Sequence, residues 1–358
     1  MNAYGVNLKL KIYGGSHDEK IGMILSGIPA GEVIDLGALD AFMARRAPGN
    51  DSFSTARKEP DKPVFLSGLD GNVTNGEPIE AVIYNKNHRS GDYSSLVDIP
   101  RPSHADFAAR MKYGEDVDLR GGGHFSGRLT APMCIAGGIC LQILARKGID
   151  VCAHILSVGN EFDESFDLVD PASVDFSAIK SKKFATISPS AEEKMRAIIE
   201  DARLDGDSVG GVIECAATGL PAGLGEHMFL GVEGRISSII FGIPAVKGIE
   251  FGNGFECSTL RGSQNNDPFV SDGEKIFTAT NNAGGILGGM SSGMPIVFRA
   301  AMKPTPSIYL EQDSVDMVSM KPVKLSIKGR HDPCVVVRAL PVFEAAAAIA
   351  LTDLLLDN

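Results

Sequence analysis

The chain has 358 residues, enough for one large or two ordinary domains with a substantial core. Its composition, 44% hydrophobic and 22% charged, is typical of a globular protein, and we expect no apolar run long enough to span a bilayer. A formal net charge of −11 and only 6% aromatic residues argue against a nucleic-acid-binding protein. Six cysteines without a CxxC pair, and an N-terminus unlike a signal peptide, predict reduced thiols in a cytoplasmic protein.

The first part of the chain predicts strands around one helix. Apolar and polar residues alternate over residues 4–13, which predicts a single strand. The helix over residues 36–46 ends in two arginines and is stopped by Pro48 and Gly49. The further elements predicted here are a strand at 21–25, a strand at 64–66, a turn at Asp70-Gly71 and a strand at 79–84.

A glycine-rich loop, Arg120-Gly-Gly-Gly-His-Phe-Ser-Gly-Arg128, precedes a buried helix predicted over residues 130–146. Glycines let a backbone approach a ligand closely, and arginines bind phosphate or carboxylate. The helix N-terminus adds positive potential beside this loop. The later predicted elements are helices at 190–204, 230–241 and 343–356 and a strand at 209–217. We expect one compact α+β unit with long loops.

Four of the seven histidines lie in segments punctuated by glycine or proline: His17, His104, His124 and His331. A single loop histidine is usually a surface residue, but imidazole titrates near neutral pH and is suited to proton transfer. His154 lies on an apolar run, which predicts a core position. No HxH, HExxH or Cys/His spacing is present, so we expect no metal site.

Several arginines are predicted at the ends of elements or in turns: Arg45, Arg46, Arg101, Arg128 and Arg330. Each taken alone is best interpreted as a solvated surface charge. Taken together, beside histidines and glycine turns, they predict a pocket for a small molecule with several negative charges.

A second glycine-rich run covers residues 281–293 and is followed by Lys303-Pro-Thr-Pro-Ser307. The backbone amides of such turns can hold a phosphate. The run is neither a Walker A motif nor a GxGxxG dinucleotide motif. These patterns indicate an enzyme that binds phosphorylated ligands and uses histidine acid–base chemistry, and they do not identify the reaction.

Taken together, the segments closely resemble the chorismate synthase family over nearly the whole chain. The matching segments are Gly14-Gly-Ser-His17, Arg45-Arg-Ala-Pro-Gly49, Arg57-Lys-Glu-Pro-Asp61, Arg101-Pro-Ser-His-Ala-Asp106, the glycine loop, Gly219-Leu-Pro-Ala-Gly-Leu-Gly225, Pro244-Ala-Val-Lys247, Gly262-Ser263, residues 281–293, residues 303–307, and Gly329-Arg-His-Asp-Pro-Cys334.

The resemblance implies a function that composition alone does not. Chorismate synthases convert 5-enolpyruvylshikimate 3-phosphate into chorismate and phosphate by a 1,4-anti elimination in the shikimate pathway. They need reduced FMN without net redox change, and NADPH is the indirect source of the electrons. The implied fold is a β-α-β sandwich in a single domain over residues 1–358, and the implied assembly is a homotetramer. A separate flavin reductase is an implied partner; nucleic acid and membrane are not.

The resemblance also implies roles for individual residues. His17 would protonate the departing phosphate and Ser16 would orient it. His104 would balance the charge of the reduced flavin, and Asp332, supported by Ser126, would assist flavin N5 as that atom receives the substrate proton. The implied substrate contacts are Arg45, Arg46, Arg101, Arg128 and Arg330. The implied flavin contacts are Arg46, His124, Phe125, Ser126, Pro244, Ala245, Gly288, Lys303, Pro304, Thr305, Pro306, Ser307 and Arg330.

The sequence departs from the commonest family pattern at a few positions, which bear on flavin contacts and argue against intrinsic flavin reductase activity. In the commonest pattern, an acidic residue stands at the position of Gly15, a glycine at that of Asp18 and a glutamate at that of Leu129. Arginine and serine are frequent at the positions of His124 and Phe125. Ser52 stands where the family often has an arginine associated with NADPH. The alternatives are an NADPH-dependent flavin reductase or other flavin oxidoreductase, and a non-catalytic phosphometabolite-binding module.

Overall fold

The computed structural model describes residues 3–47, 61–85, 98–327 and 332–357. The helices are α1 (Leu36–Arg46), α2 (Asp106–Tyr113), α3 (Thr130–Arg146), α4 (Phe176–Ser181), α5 (Pro189–Leu204), α6 (Val232–Ile240), α7 (Gly262–Asn265) and α8 (Val336–Leu355). The strands are β1 (Ala3–Tyr4), β2 (Lys9–Tyr13), β3 (Lys20–Ser26), β4 (Val64–Ser67), β5 (Leu69–Asp70), β6 (Val73–Thr74), β7 (Ile79–Tyr84), β8 (Asp150–Val158), β9 (Glu161–Phe162), β10 (Gly211–Thr218), β11 (Val246–Phe251), β12 (Phe269–Ser271), β13 (Ile276–Thr278), β14 (Ile286–Leu287), β15 (Met290–Ser291), β16 (Ile296–Met302), β17 (Gln312–Val315) and β18 (Pro322–Leu325).

The N-terminal residues form an antiparallel sheet in the order β1-β2-β3-β7-β4. Its central strand β3 buries Ile21, Met23 and Leu25 completely, as the period of two in a strand allows. Lys20 at the start of β3 pairs with Tyr84 at the end of β7. The turn between β2 and β3 and the residue after β7 therefore lie at the same edge of the sheet.

The predicted single strand over residues 4–13 is wrong, because the structure divides it into a hairpin of β1 and β2. Ala3 pairs with Lys11 and Tyr4 with Leu10. Gly5 turns the chain with a φ of +103°, a conformation that favours glycine. The backbone amides that follow, from residue 6 to residue 8, donate to the buried carboxylate of Asp353 on α8. A contact 345 residues away along the chain thus stabilises the turn, and local alternation carries no sign of it.

The second large sheet has the order β11-β16-β10-β8-β9 and is also antiparallel. Its strand β8 is buried at every residue except Asp150. A strand covered on both faces reads as a continuous apolar run rather than an alternating one. The sequence patterns consequently did not predict it.

Helices α3 and α8 lie between the two sheets. Helix α3 packs on β3 and β7, while α8 packs on β8 and β10. The two helices approach very closely, since a Cβ atom added to Gly137 on α3 would lie 2.2 Å from the Cβ of Ala345 on α8. Glycine on one helix and the alanine-rich stretch of the other allow this separation. The predicted β-α-β sandwich is confirmed.

By length and composition, the helical stretch Arg120–Arg146 is apolar enough to cross a membrane, contrary to the expectation for this sequence. Most of it is buried inside the protein, where α3 packs against both sheets. Its apolar sequence is accounted for by this core position.

The clearest local patterns predicted their elements well. Helix α1 and helix α3 have the predicted bounds, and α5, α6 and β10 agree within two residues. Helix α8 begins at Val336, seven residues before the predicted start, and continues through Pro341. Proline normally interrupts a helix, so the sequence favoured a later start.

Candidate active site

The glycine loop folds as two short 3₁₀ turns leading into α3. Gly121, Gly122 and Gly123 have φ values of +57°, +91° and +51°, which other residues adopt only with strain. The loop carbonyls thereby turn towards the segment between β2 and β3, where Gly123 O accepts from Ser16 N at 3.2 Å.

The Ser16–His17 turn is held against the glycine loop by hydrogen bonds. Nδ1 of His17 lies 3.0 Å from the carbonyl oxygen of Arg120, which also accepts from Ser16 Oγ at 3.0 Å. Because a carbonyl only accepts, Nδ1 of His17 carries a proton and Nε2 is the remaining reactive nitrogen. A Cβ atom at Gly121 would lie only 2.2 Å from His17 Cε1, so the loop must have glycine here.

His104 belongs to a compact group with Arg101 and Asp106. Nδ1 of His104 lies 2.6 Å from Asp106 Oδ1, and Arg101 donates to both oxygens of that carboxylate at 2.7 Å. Burial alone would raise the pKa of Asp106, but hydrogen bonds from Arg101 and His104 hold it well below its usual range. The carboxylate therefore stays ionised and orients the imidazole. Nε2 of His104 lies 3.5 Å from the position of a Cβ at Gly122.

Asp61 is a fully buried carboxylate that bridges the two arginines Arg46 and Arg128. Burial would raise its pKa, but the two guanidinium groups lower it, so Asp61 is ionised. Arg46 donates to Asp61 at 2.6 Å, to Gly127 O at 2.9 Å and to Thr130 Oγ1 at 3.2 Å. Arg46 thus ties α1 to the start of α3.

Asp332 lies four residues before the start of α8 at Val336 and accepts a hydrogen bond from Arg338 Nη1 at 2.7 Å. The backbone carbonyl of Asp332 accepts from Thr305 Oγ1 at 3.0 Å, and Arg338 Nε donates to the carbonyl of Arg46 at 3.3 Å. Burial lowers the pKa of Arg338, while the negative charge of Asp332 opposes that effect. Arg330 lies outside the described residues.

Lys303 lies at the end of β16, next to the predicted flavin segment 304–307. Its backbone amide donates to Ala245 O at 2.9 Å, and its amino group donates to Ser103 O at 2.7 Å, one residue before His104. Burial and the neighbouring positive charge of Lys247 lower the pKa of Lys303. The segments 244–245 and 303–307 are therefore adjacent to the His104 segment.

Two predicted residues lie apart from this group. The guanidinium of Arg45 binds the buried carboxylate of Glu344 on α8, at 2.5 and 3.0 Å. Gly288 lies in the turn between β14 and β15, beside the N-terminus of α6, whereas Pro244 and Ala245 follow its C-terminus. Nine helical residues separate these positions by roughly 13 Å along the axis.

Comparisons with known proteins identify the family and the fold. The family model described as chorismate synthase matches residues 8–356. The chain belongs to the chorismate synthase family. It is 45% identical to the chorismate synthase of Lancefieldella parvula, over 99% of this chain and 96% of that protein. It is 44% identical to that of Pyrococcus abyssi, over 98% and 96%. A crystal structure of chorismate synthase superposes with a TM-score of 0.77 at 28% identity, covering 99% of this chain and 93% of that one.

The residues that chorismate synthases imply for flavin binding are compatible with such a ligand here. A Cβ at Gly122 would lie 3.4 Å from Ser126 Cβ and 3.5 Å from His104 Nε2, so a side chain here would contact both residues and glycine leaves that space open. Lys303 and Lys247 bring two positive charges together, as a phosphate requires. His124 is exposed and is held by Gly14 O at 2.9 Å, while Phe125 packs near Tyr113 with ring centroids 6.4 Å apart.

Four residues of this candidate site were not predicted: Asp61, Asn85, Asp106 and Arg338. Asp61 and Asp106 end two of the family-like segments, so their position in a motif was a usable signal. Asn85 follows a strand and Arg338 lies within a helix, and no local pattern marks either. Among the residues that the structure describes, no group of three or more His, Cys, Asp or Glu side chains could hold a metal ion.

Proposed function

We propose that this protein catalyses the 1,4-anti elimination of phosphate from 5-enolpyruvylshikimate 3-phosphate, which gives chorismate and makes it a carbon–oxygen lyase of aromatic amino-acid biosynthesis. The observation that carries this proposal is the convergence of two histidines on one glycine loop. Gly121 contacts His17 and the adjacent Gly122 lies beside His104. The two imidazoles thus flank neighbouring residues, close enough to act on one small substrate.

His17 is suited to protonate the departing phosphate. The Arg120 carbonyl accepts the hydrogen bond from its Nδ1–H. A second proton, on Nε2, makes the ring an imidazolium, which can donate that proton to the phosphate. Ser16 is buried, and its hydroxyl lies 3.2 Å from Nδ1, which restricts rotation of the ring. Protonation of the leaving oxygen removes the cost of expelling a more highly charged phosphate.

The positive groups are suited to a substrate that carries two carboxylates and a phosphate. Arg128 is buried at the end of the loop, and Arg46 lies beside it across Asp61. The donors of Arg46 are used within the protein, so it contributes positive potential and a rigid support. Arg101 fixes His104 through Asp106, and Arg45 and Arg330 remain proposed substrate contacts.

Reduced FMN, when bound, supplies electron density while phosphate leaves and regains it without net redox change. The residues that would hold it are His124, Phe125, Ser126, Pro244, Ala245, Gly288, Lys303, Pro304, Thr305, Pro306, Ser307 and Arg330. His104, oriented by the ionised Asp106, would balance its negative charge, and Arg46 would add to the same potential. Asp332, paired with Arg338, would accept hydrogen bonds at the flavin edge, with Ser126 in support.

We further propose a single catalytic domain over residues 1–358, a cytoplasmic location and a homotetrameric assembly. Three large exposed side chains support an assembly. Phe229, Phe255 and Ile276 are 85%, 84% and 74% exposed in the single chain. Apolar surface of this kind is usual where subunits meet. A separate reductase using NADPH would supply the reduced flavin.

The test is an anaerobic incubation of the protein with the enolpyruvyl substrate and photoreduced FMN, followed by the absorbance of chorismate. We expect chorismate and phosphate in equal amounts, and none without reduced flavin. No chorismate from intact substrate would reject the proposal. Steady NADPH consumption in the absence of substrate would favour the flavin reductase instead.

A further inference from the structure

Asn85 follows β7 at the sheet edge where the His17 turn also lies, and 6% of its surface is exposed. Its backbone amide donates to Glu19 O at 2.9 Å, so its main chain is anchored to the start of β3. Its side chain is therefore held between the His17 turn and the end of the glycine loop.

Both ends of the Asn85 side chain are used, and each end reaches a different part of the site. Nδ2 donates to the backbone carbonyl of Asp18 at 2.8 Å. Oδ1 accepts from Nε of Arg128 at 3.2 Å. The amide consequently joins the turn that carries His17 to the arginine that ends the glycine loop.

The neighbouring contacts make this link stiff. Asp18 N donates to Gly15 O at 3.1 Å, which closes the turn around Ser16 and His17. On the other side, Arg128 also binds the buried carboxylate of Asp61. A primary amide can donate to a carbonyl at one end and accept from a guanidinium at the other.

We propose that Asn85 is a positioning residue for the elimination, setting the placement of the His17 imidazole relative to the Arg128 guanidinium. This inference rests on the proposed function. Asn85 need not touch the substrate; it acts through the Asp18 carbonyl on His17 and through Nε on Arg128. A misplacement of about 1 Å in a catalytic group can cost about 100-fold in rate.

Two substitutions of Asn85 distinguish the effect of its hydrogen bond to Asp18 from that of its hydrogen bond to Arg128. In Asn85→Asp, a carboxylate oxygen still accepts from Arg128, but the other oxygen faces the Asp18 carbonyl and repels it. In Asn85→Ala, both contacts are lost. We therefore expect Asn85→Asp to lower kcat about 10-fold or more with KM for the substrate nearly unchanged, because the His17 turn is released while Arg128 stays in place. Asn85→Ala should lower kcat similarly and raise KM about 5-fold or more.

Matched controls are Asn75→Asp and Asn75→Ala, at an exposed asparagine in the turn between β6 and β7. These variants should keep the wild-type kcat and KM. FMN affinity, followed by flavin fluorescence, and melting temperature should stay close to wild type in Asn85→Asp.

The outcomes separate the inference from the proposed function. If the wild-type protein forms no chorismate, the proposed function fails. If it does and both Asn85 variants keep wild-type kcat and KM, the positioning role is rejected. It is also rejected if both variants lose activity only in proportion to lost folding or flavin binding, or show no difference between their effects on KM.

Discussion

Nδ1 of His104 lies 2.6 Å from Oδ1 of Asp106, and this contact decides which nitrogen of the imidazole is available. An ionised carboxylate only accepts hydrogen bonds, so the proton is on Nδ1 and Nε2 faces the glycine loop. Arg101 binds the same carboxylate at 2.7 Å through two nitrogens, which keeps Asp106 in place and ionised. The three residues form one preorganised unit on the six-residue stretch Arg101–Asp106.

Replacing His104 should remove most activity without removing the cofactor. We expect His104→Ala to retain FMN binding and to lose about 100-fold or more in kcat, the usual contribution of a positioned imidazole. Asp106→Asn should lose at least about 10-fold, because an amide permits the wrong tautomer. His227→Ala is the control, since that side chain is 79% exposed. Wild-type kcat in His104→Ala would exclude this residue from the mechanism.

Gly121→Ala should separate catalytic geometry from stability. Its new Cβ would lie 2.2 Å from His17 Cε1 and would push the imidazole out of position. Gly71→Ala is the matched control, with a similar φ of +67° and no atom within 4 Å of the new Cβ. Both variants should lose about 1–2 kcal/mol of stability from a non-glycine residue in the left-handed region. Thermal melts should be similar, whereas kcat should fall in Gly121→Ala alone; equal kcat values would contradict the placement of His17.

Gly15 and Asp18 should behave as a coupled pair. The Asp18 carboxylate accepts from Gly15 N at 2.6 Å, and a Cβ at Gly15 would lie 3.4 Å from both of its oxygens. Asp18 thus places an acidic group beside Gly15. Gly15→Glu alone should lower kcat, because two carboxylates compete for one space beside His17.

The double variant Gly15→Glu, Asp18→Gly should recover activity relative to either single variant. The measurement is a double-mutant cycle on kcat and melting temperature. Additive losses would show that the two positions do not share this space.

His154 should make stability fall as pH rises above the ordinary pKa of its imidazole. His154 pairs across strands with Glu214, Glu214 with Arg299 and Arg299 with Glu250, in a row of alternating charge. Asp163 adds a second carboxylate beside His154, with Oδ2 3.3 Å from Nδ1 of the imidazole. Burial would lower the pKa of His154, but Asp163 and Glu214 raise it above its usual value.

The sign follows from this raised pKa. The ion pairs of His154 stabilise the folded state fully below the pKa of His154 in the unfolded chain, near 6.5. Between that pKa and the higher pKa of the folded state, the folded protein keeps a proton that the unfolded chain has released, so the stabilisation is lost as pH rises. Melting temperature should decrease over this window in the wild type and vary less in His154→Gln. An equally steep decrease in the variant would assign the dependence to other groups.

The sequence predicted well those features whose cause is local. Helix α1 has its own apolar face and terminal residues, and α3 is a continuous run of apolar and small residues, so their bounds followed from the chain. The family-like segments also predicted which loops carry the site, and the structure brings the His17, His104, glycine-loop and Lys303 segments together. Strand β8 and the hairpin of β1 and β2 were not predicted, because burial on both faces and a contact with Asp353 determine them.

The glycine loop shows which features follow from the sequence by itself and which depend on the tertiary structure. Its composition by itself determined that the backbone can turn with positive φ and that positive charge lies at both ends. Only the tertiary structure decided how the charge at the C-terminal end is used: Arg128 binds Asp61 and Asn85, which lie 67 and 43 residues away along the chain. At the other end, the exposed Arg120 binds the nearby Asp118. The reason is physical. Backbone freedom belongs to each residue, whereas the partner of a buried charge depends on which distant carboxylate or amide the fold brings within hydrogen-bonding distance.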